Sequence, residues 1–433
     1  MSDRFVLAVV VDLGGRSTTE TGRLRRVDRD RIDAWPGRLG VSVEVPDGDG
    51  TSRLDVGSFD DFHPDTLVKR LPGLARLRAS GGTAPAPKAP PAASEVQSSE
   101  PDLPPPAGGS ALLESILRTS EGAPQVDKGL SEFVRRVSEP FVVRPSAPDA
   151  ASQAGLGAAL RAVLYDRRFQ ELEAAWRGLH DLVTATDDRS GAEIWVLDAT
   201  PADAPAVLAE ELSVSGAPPV AALVAAFRYG PDDTSLAALA GLATVAQAVS
   251  APLIADVDPQ VLGIDDACAL GRSDVASRIG MIDHWRRFRR HALAAHVLLC
   301  MPRVLARLPY GPHGEPVSAF RFDEGLRAAD HGRFLWSSAA LAFASVLAHA
   351  VASDGSTAHL ENHAQLAGLP VYVSREADGT MQPVPCAEVV MSTTTIRAVV
   401  DQGCTVLASV RDEDRAAFWG LGMLDGSPLP DLG

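Results

Sequence analysis

Apolar positions change period several times along the chain. Phe5–Val11 is a short, continuous, β-branched run that Asp12 and the pair Gly14-Gly15 bring to an end, and it predicts a buried strand. A helix is expected over Asp28–Leu39, with Asp28 as its start signal and Pro36-Gly37 as its stop. Val41–Val45 and Arg53–Phe59 alternate like strands on either side of the turn PDGDG at 46–50. Apolar residues at 67, 68, 71, 74 and 77 predict a helix over Asp65–Leu77, bent at Pro72.

Farther along, Ser110–Thr119 reads as a short helix capped by Ser110, with Leu112, Leu113, Ile116 and Leu117 on one stripe. A long helix is expected over Gln153–Thr184, with Phe169, Leu172, Trp176, Leu179 and Leu182 facing one way. Strands at Glu193–Leu197, Val220–Phe227 and Pro252–Ile254 alternate with helices at Pro201–Leu212 and Asp232–Val249. The tail repeats the rhythm: helix 337–352, strand Val371–Val373, helix near 386–401 and strand Thr405–Val410. Such alternation predicts a largely parallel sheet covered on both faces. No fixed period recurs, which excludes a solenoid.

Between these parts, 80–109 carries prolines at 85, 87, 90, 91, 101, 104, 105 and 106 and almost no large apolar residue. A segment of this composition cannot bury enough surface to offset its ordering entropy. The expected organisation is a small N-terminal α/β domain (1–79), a Pro/Ala/Ser-rich linker (80–109) and a larger α/β domain (110–433) with a mixed, largely parallel sheet.

Composition narrows the function. The 433 residues include 40 Lys+Arg and 56 Asp+Glu, a net charge of −16, which disfavours nucleic acid and anionic membrane surfaces as partners. Cys268, Cys300, Cys386 and Cys404 form no C-x-x-C pair and are too scattered for a disulfide framework. The opening MSDRFVLAVVV lacks a basic start and a cleavage site, and Ala339–Ala352 is too short to span a membrane and carries His349. No membrane insertion and a cytoplasmic location are expected.

Few residues suggest catalysis. Asp12-Leu13-Gly14-Gly15-Arg16-Ser17 resembles the first phosphate loop of actin-like sugar kinases, but no second strand–Asp-Gly loop follows at matching spacing. His359 and His363 are four apart in HLENH, flanked by Gly355, Gly368 and Pro370, which favours a surface loop over a metal-bearing helix. His284, His291 and His296 sit among arginines 286, 287, 289, 290 and 303, a setting that repels cations and suits an inter-subunit salt-bridge face. Lysine occurs only at 69, 88 and 128, none after a glycine loop. No catalytic, cofactor or metal set is therefore assigned, and a structural role is the leading expectation over an enzyme.

Two segments carry a family resemblance. The first is Asp60-Asp61-Phe62-His63-Pro64-Asp65, following VDRDRIDAWPGRLG at 27–40, which resembles the small subunit of the type VI secretion contractile sheath. Physically it is a helix entrance, with Pro64 in the first turn and acids complementing the helix dipole. The second is DRRFQELEAAWRGL at 166–179, with Phe169, Leu172, Trp176 and Arg177, which is similar to a helix of the sheath large subunit. Phe227–Gly230, the stretch MPRVLARLPYG at 301–311 with Pro302, Arg303 and Arg307, FLWSS at 334–338 and PCAE at 385–388 agree in order. The small-subunit likeness stops near 79 and the large-subunit likeness near Leu424, so a short-form or fused sheath component is expected.

The resemblance implies helical assembly around an inner tube and contraction, with no nucleotide site in this chain. It implies as partners copies of the chain, other sheath subunits, the inner tube protein, the baseplate and an AAA+ unfoldase. In resembling large subunits that unfoldase grips a short N-terminal helix, whose place here is taken by Leu112, Leu113, Ile116 and Leu117. The alternatives are an actin-like kinase or ATPase using residues 12–17, and a non-assembling adaptor or cap of the same machine.

Overall fold

The computed structural model describes residues 5–14, 22–48, 50–79, 150–186, 191–376, 378–410 and 413–432. In its N-terminal part, β1 (Phe5–Val11) and β2 (Arg25–Val27) precede α1 (Trp35–Leu39). The hairpin β3 (Ser42–Asp47) and β4 (Gly50–Asp55) then leads to α2 (Pro64–Arg70) and α3 (Pro72–Ala79). The chain continues as α4 (Ala150–Leu164), α5 (Arg167–Ala185), β5 (Ala192–Asp198), α6 (Ala204–Ser213), β6 (Val220–Tyr229), α7 (Asp233–Ala248) and β7 (Leu253–Val257). Then come α8 (Asp283–Arg289), β8 (Val297–Met301), β9 (Val304–Leu305), β10 (Trp336–Ser337), α9 (Ala339–Asp354), β11 (Gln365–Leu366), β12 (Tyr372–Arg375), β13 (Met381–Val384), α10 (Thr393–Asp401), β14 (Cys404–Ser409) and β15 (Ala416–Trp419).

Nine strands form one sheet in the order β11-β15-β14-β8-β7-β6-β1-β5-β2. The six from β14 to β5 run parallel, and the edges are antiparallel. The α/β class and the largely parallel sheet therefore agree with the sequence pattern. All seven residues of β1 are buried, because helices cover both faces of the sheet. Leu7, Val9 and Val11 pack with α4, α5, α9 and the N-terminal elements, while Ala8 and Val10 pack on the side of α6 and α7. The edge strands β2 and β11 are only three and two residues long, which limits the exposed ladder.

The expected independent domain at 1–79 is corrected by this topology. β1 lies between β5 and β6, in register with Ala192–Asp198 on one side and bonded to Val220–Ala225 on the other. A seven-residue strand buried on both faces stabilises itself only inside a larger sheet, so residues 1–79 and the later residues share one core. A chain cut by an engineered protease site between 80 and 149 should keep both pieces together through gel filtration in native buffer. Release of a free N-terminal piece would contradict the topology.

Four helices differ from expectation. The one expected over Asp28–Leu39 is a 3-10 turn at Arg29–Ala34 followed by α1, and Pro36-Gly37 lie in the first turn of α1 instead of ending it. The helix expected over Gln153–Thr184 is two, α4 and α5, because the Asp166 carboxylate accepts from the N–H groups of Arg168 and Phe169 and starts a new helix. The Asp65–Leu77 helix divides at Leu71, just before Pro72. The helix near 386–401 begins only at Thr393, capped by Ser392, which leaves 386–388 to pair with other segments. Residues around Val371 also leave the main sheet and form the separate hairpin β12–β13.

Gly178 on α5 marks a close approach. A Cβ there would collide with Ser337 Oγ and come within 2.9 Å of Leu341 Cδ1. Gly178→Ala should therefore destabilise by roughly 1–3 kcal/mol, the range for an overpacked core. An unchanged denaturation midpoint would show that α5 can back away from α9.

Candidate functional site

The DDFHPD segment is a double cap. Ser58 and Asp61 form a reciprocal capping box around the turn Phe59–Phe62. Asp61 Oδ2 accepts from the N–H groups of Gly57 at 2.6 Å and Ser58 at 3.1 Å, and its other oxygen meets Arg70 at 2.5 Å. Burial opposes ionisation of Asp61, but Arg70 and the two amides outweigh it and hold its pKa below the usual carboxylate value. His63 Nδ1 accepts from the Asp65 N–H at 3.2 Å, and Pro64 occupies the first turn of α2. Asp60 is exposed. Asp65 reaches across the molecule and accepts from the N–H groups of Ser318 at 3.0 Å and Ala319 at 2.7 Å.

Next to this cap lies the second motif. Phe62 stands edge-on to Phe169 with ring centroids 5.7 Å apart. Trp176 is met edge-on by Trp35 and by Phe59, each at 6.4 Å. Phe169, Leu172 and Trp176 are all buried, as their spacing on one helical stripe predicts. The DDFHPD segment and the Phe169–Trp176 stripe thus pack on each other.

Beneath them is a buried ion network. Glu173, on the apolar face of α5, accepts through Oε1 from Arg177 Nε at 2.8 Å and Arg307 Nε at 2.9 Å. Arg307 also donates from Nη1 to Glu324 Oε2 at 2.9 Å, and the same oxygen takes the Tyr310 N–H at 2.5 Å. The Arg307 guanidinium stacks 4.1 Å over the Tyr310 ring, and His63 packs on that ring with centroids 5.1 Å apart. Arg177 Nη2 donates to the Tyr310 hydroxyl at 3.2 Å. Burial opposes the Arg307 charge, but Glu173 and Glu324 outweigh it and push its pKa well above the ordinary arginine value. Arg303 is held elsewhere, gripped at both ends of its guanidinium by Glu388 (3.1 and 2.5 Å), after a cis Met301–Pro302 peptide.

These groups fasten elements to one another. Among the described residues, no group of three or more His, Cys, Asp or Glu is placed to hold a metal ion, and no helix is long and apolar enough to cross a membrane. His363 Nε2 lies 2.7 Å from Asp354, and a short turn at Leu360–Asn362 separates it from His359. In the glycine segment, the Leu13 N–H donates to Asp198 at 2.8 Å and the Gly14 N–H to Asp12 at 3.1 Å. Those amides are turned to in-chain carboxylates, which would repel a phosphate, and the kinase alternative loses its basis. Residues 15–17 lie outside the described residues. So do Leu112, Leu113, Ile116 and Leu117.

Part of the basic stretch is also used internally: Arg286 pairs with Asp283 at 3.1 Å, and Arg289 donates to the carbonyls of Leu424 and Asp401 at 3.0 Å. Sequence reasoning missed Glu173, Glu324 and Glu388. For Glu173 a signal existed: it shares the helix face of Phe169 and Trp176, and a carboxylate on an apolar stripe calls for a buried cation.

Residues 152–424 match the family model of VipB, described as the EvpB/VC_A0108 tail sheath N-terminal domain. The chain is also similar to the type VI secretion system sheath protein TssC1 of Pseudomonas aeruginosa, 27% identical over 295 residues, which is 63% of this chain. It spans 59% of that relative's length. The match runs from α4 to the end of the sheet and takes in the Glu173–Arg307–Glu324 network and the Arg303–Glu388 pair, and over more than half its length the chain thereby belongs to the VipB tail sheath family.

Proposed function

We propose that the chain is a structural subunit of a type VI secretion contractile sheath, packing helically around an inner tube and shortening to drive effector delivery. The observation that carries this reading is the family match over 152–424, whose polar motif residues are engaged in joining elements. Residues 1–79 act in this reading as a fused small-subunit-like part. The insertion of β1 between β6 and β5 supports it, since a separately encoded small subunit would have to supply that strand in trans. The strained lattice stores the energy of contraction, so the subunit needs no cofactor and no catalysis.

Its partners are copies of itself, other sheath subunits, the inner tube protein and the baseplate, in the cytoplasm. Ser110–Thr119 serves as the recognition helix for an AAA+ unfoldase through Leu112, Leu113, Ile116 and Leu117, and the free arginines near α8 contribute to subunit contacts. Calorimetry with ATP and magnesium, set beside light scattering of the same sample, tests the reading. Large particles without nucleotide heat are expected. Stoichiometric nucleotide binding by a monomer would overturn it, and a stable small particle that binds sheath ends would favour a cap or adaptor.

A further inference from the structure

At the carboxyl ends of β6, β7 and β8 the carboxyl groups of Asp256 and Glu388 meet the guanidinium groups of Arg228 and Arg303 around a small cavity that Cys300 also borders. Both guanidinium groups are committed. Arg228 Nε lies 3.1 Å from Asp258, and Arg303 holds Glu388 through Nε and Nη2. Asp256 is left with neutral partners. Its Oδ1 accepts from the Ala340 N–H at 2.7 Å, in the first turn of α9, and the Ser338 hydroxyl also bonds to it. Around it, the Tyr229 hydroxyl is buried without a hydrogen-bond partner, and Cys300 is a buried thiol. His331 lies 3.4 Å from Glu388, and burial lowers its pKa against the pull of Glu388 and Asp266. Arg228 is exposed and Asp258 and Arg303 are partly exposed, so water screens that side of the cluster, whereas Asp256 is buried and its hydrogen-bond donors are neutral.

We propose that buried Asp256 keeps its proton through weakly acidic pH, gives it up around neutrality, and so acts as a proton-dependent latch between the start of α9 and the carboxyl end of the sheet. With that proton the buried Asp256 is neutral, and the acid still accepts the Ala340 N–H. Without it, a buried charge lacks a counter-ion and the α9 joint loosens.

The expected pH window follows from the direction of the shift. Burial pushes the Asp256 pKa up to about 7, against the bonds from Ser338 and Ala340 and the fields of Arg228 and Arg303. An unfolded Asp titrates near 3.9, so from about pH 4 to about 7 the folded state binds the extra proton. The stability this group contributes is then full below about pH 4, falls as pH rises and levels off above about 7. Asp61, Asp65 and Glu388 are shifted the other way, and their contributions are lost only in acid.

The test compares full-length wild type with Asp256→Asn, which keeps the acceptor for Ala340. The ratio of their unfolding equilibrium constants should move toward the variant by roughly 50-fold between pH 5 and 7, with the slope flattening as pH nears 7. Taking the ratio cancels the other titrating groups, His331 included. A ratio independent of pH would overturn the proposal. Should the variant fail to fold, wild type labelled at aspartate Cγ decides: one carboxyl carbon titrating near 7 is expected, and none above pH 5 would overturn it. For the latch itself, protection of the Ala340 amide from exchange, corrected for intrinsic pH dependence, should fall above pH 7 in wild type. Unchanged protection would overturn it.

Discussion

Replacing Arg307 by Met should destabilise the fold by about 3–5 kcal/mol, because it leaves two buried carboxylates without their shared cation. Glu173 and Glu324 are both fully buried side chains, and Arg307 is the only group that bonds to both among the described residues. Arg177 still reaches Glu173, but Glu324 would keep only neutral donors such as the Tyr310 N–H. The loss should appear in urea denaturation as a lower midpoint at unchanged slope. Adding Glu173→Gln and Glu324→Gln to Arg307→Met should recover much of it, since the uncompensated charges are then gone. A single variant that melts like wild type would show that the network is solvated and does not hold the 307–324 segment to α5.

The second large effect is expected at Trp176. Its side chain is fully buried, and its ring is met by Trp35 and Phe59. Trp176→Ala should cost about 3–5 kcal/mol, as for other large aromatics removed from cores. Because both ring partners come from residues 1–79, amide exchange should rise first around 57–70 while β7 and β8 stay protected. Thermal melts that coincide with wild type would place the stripe at the surface and contradict the packing.

How far these features could be read from sequence depended on how local they are. The run Phe5–Val11 is a strand by composition alone, yet its neighbours β5 and β6 begin at Ala192 and Val220, and nothing local encodes that pairing. The Pro-rich stretch at 80–109 marked a boundary in composition that the sheet does not respect. The stripe Phe169–Trp176 was legible because one helix face sets its own period, whereas the break at Asp166 was hidden by apolar residues that continue in phase across it. β8 went unseen because its apolar residues follow directly on a His- and Arg-rich stretch that drew attention to charge. At the site, Arg303 and Arg307 stood out through their motif. Glu388, 85 residues from Arg303, and Glu173, 134 residues from Arg307, are brought to them only by the closed fold, and Glu324, 17 residues after Arg307, lies in an irregular segment with no period to mark it. The backbone bonds of the DDFHPD cap each span four residues or fewer and are local, whereas the Asp61–Arg70 pair and the reach from Asp65 to Ser318 were not legible.

The central claim is assembly, and electron microscopy of the full chain purified with the products of its neighbouring genes tests it most directly. The account predicts hollow helical tubes containing this chain as a wall subunit, in a long narrow state and a short wide one. A protein that remains a discrete single-chain particle in every mixture, with no tube and no attachment to one, would contradict it.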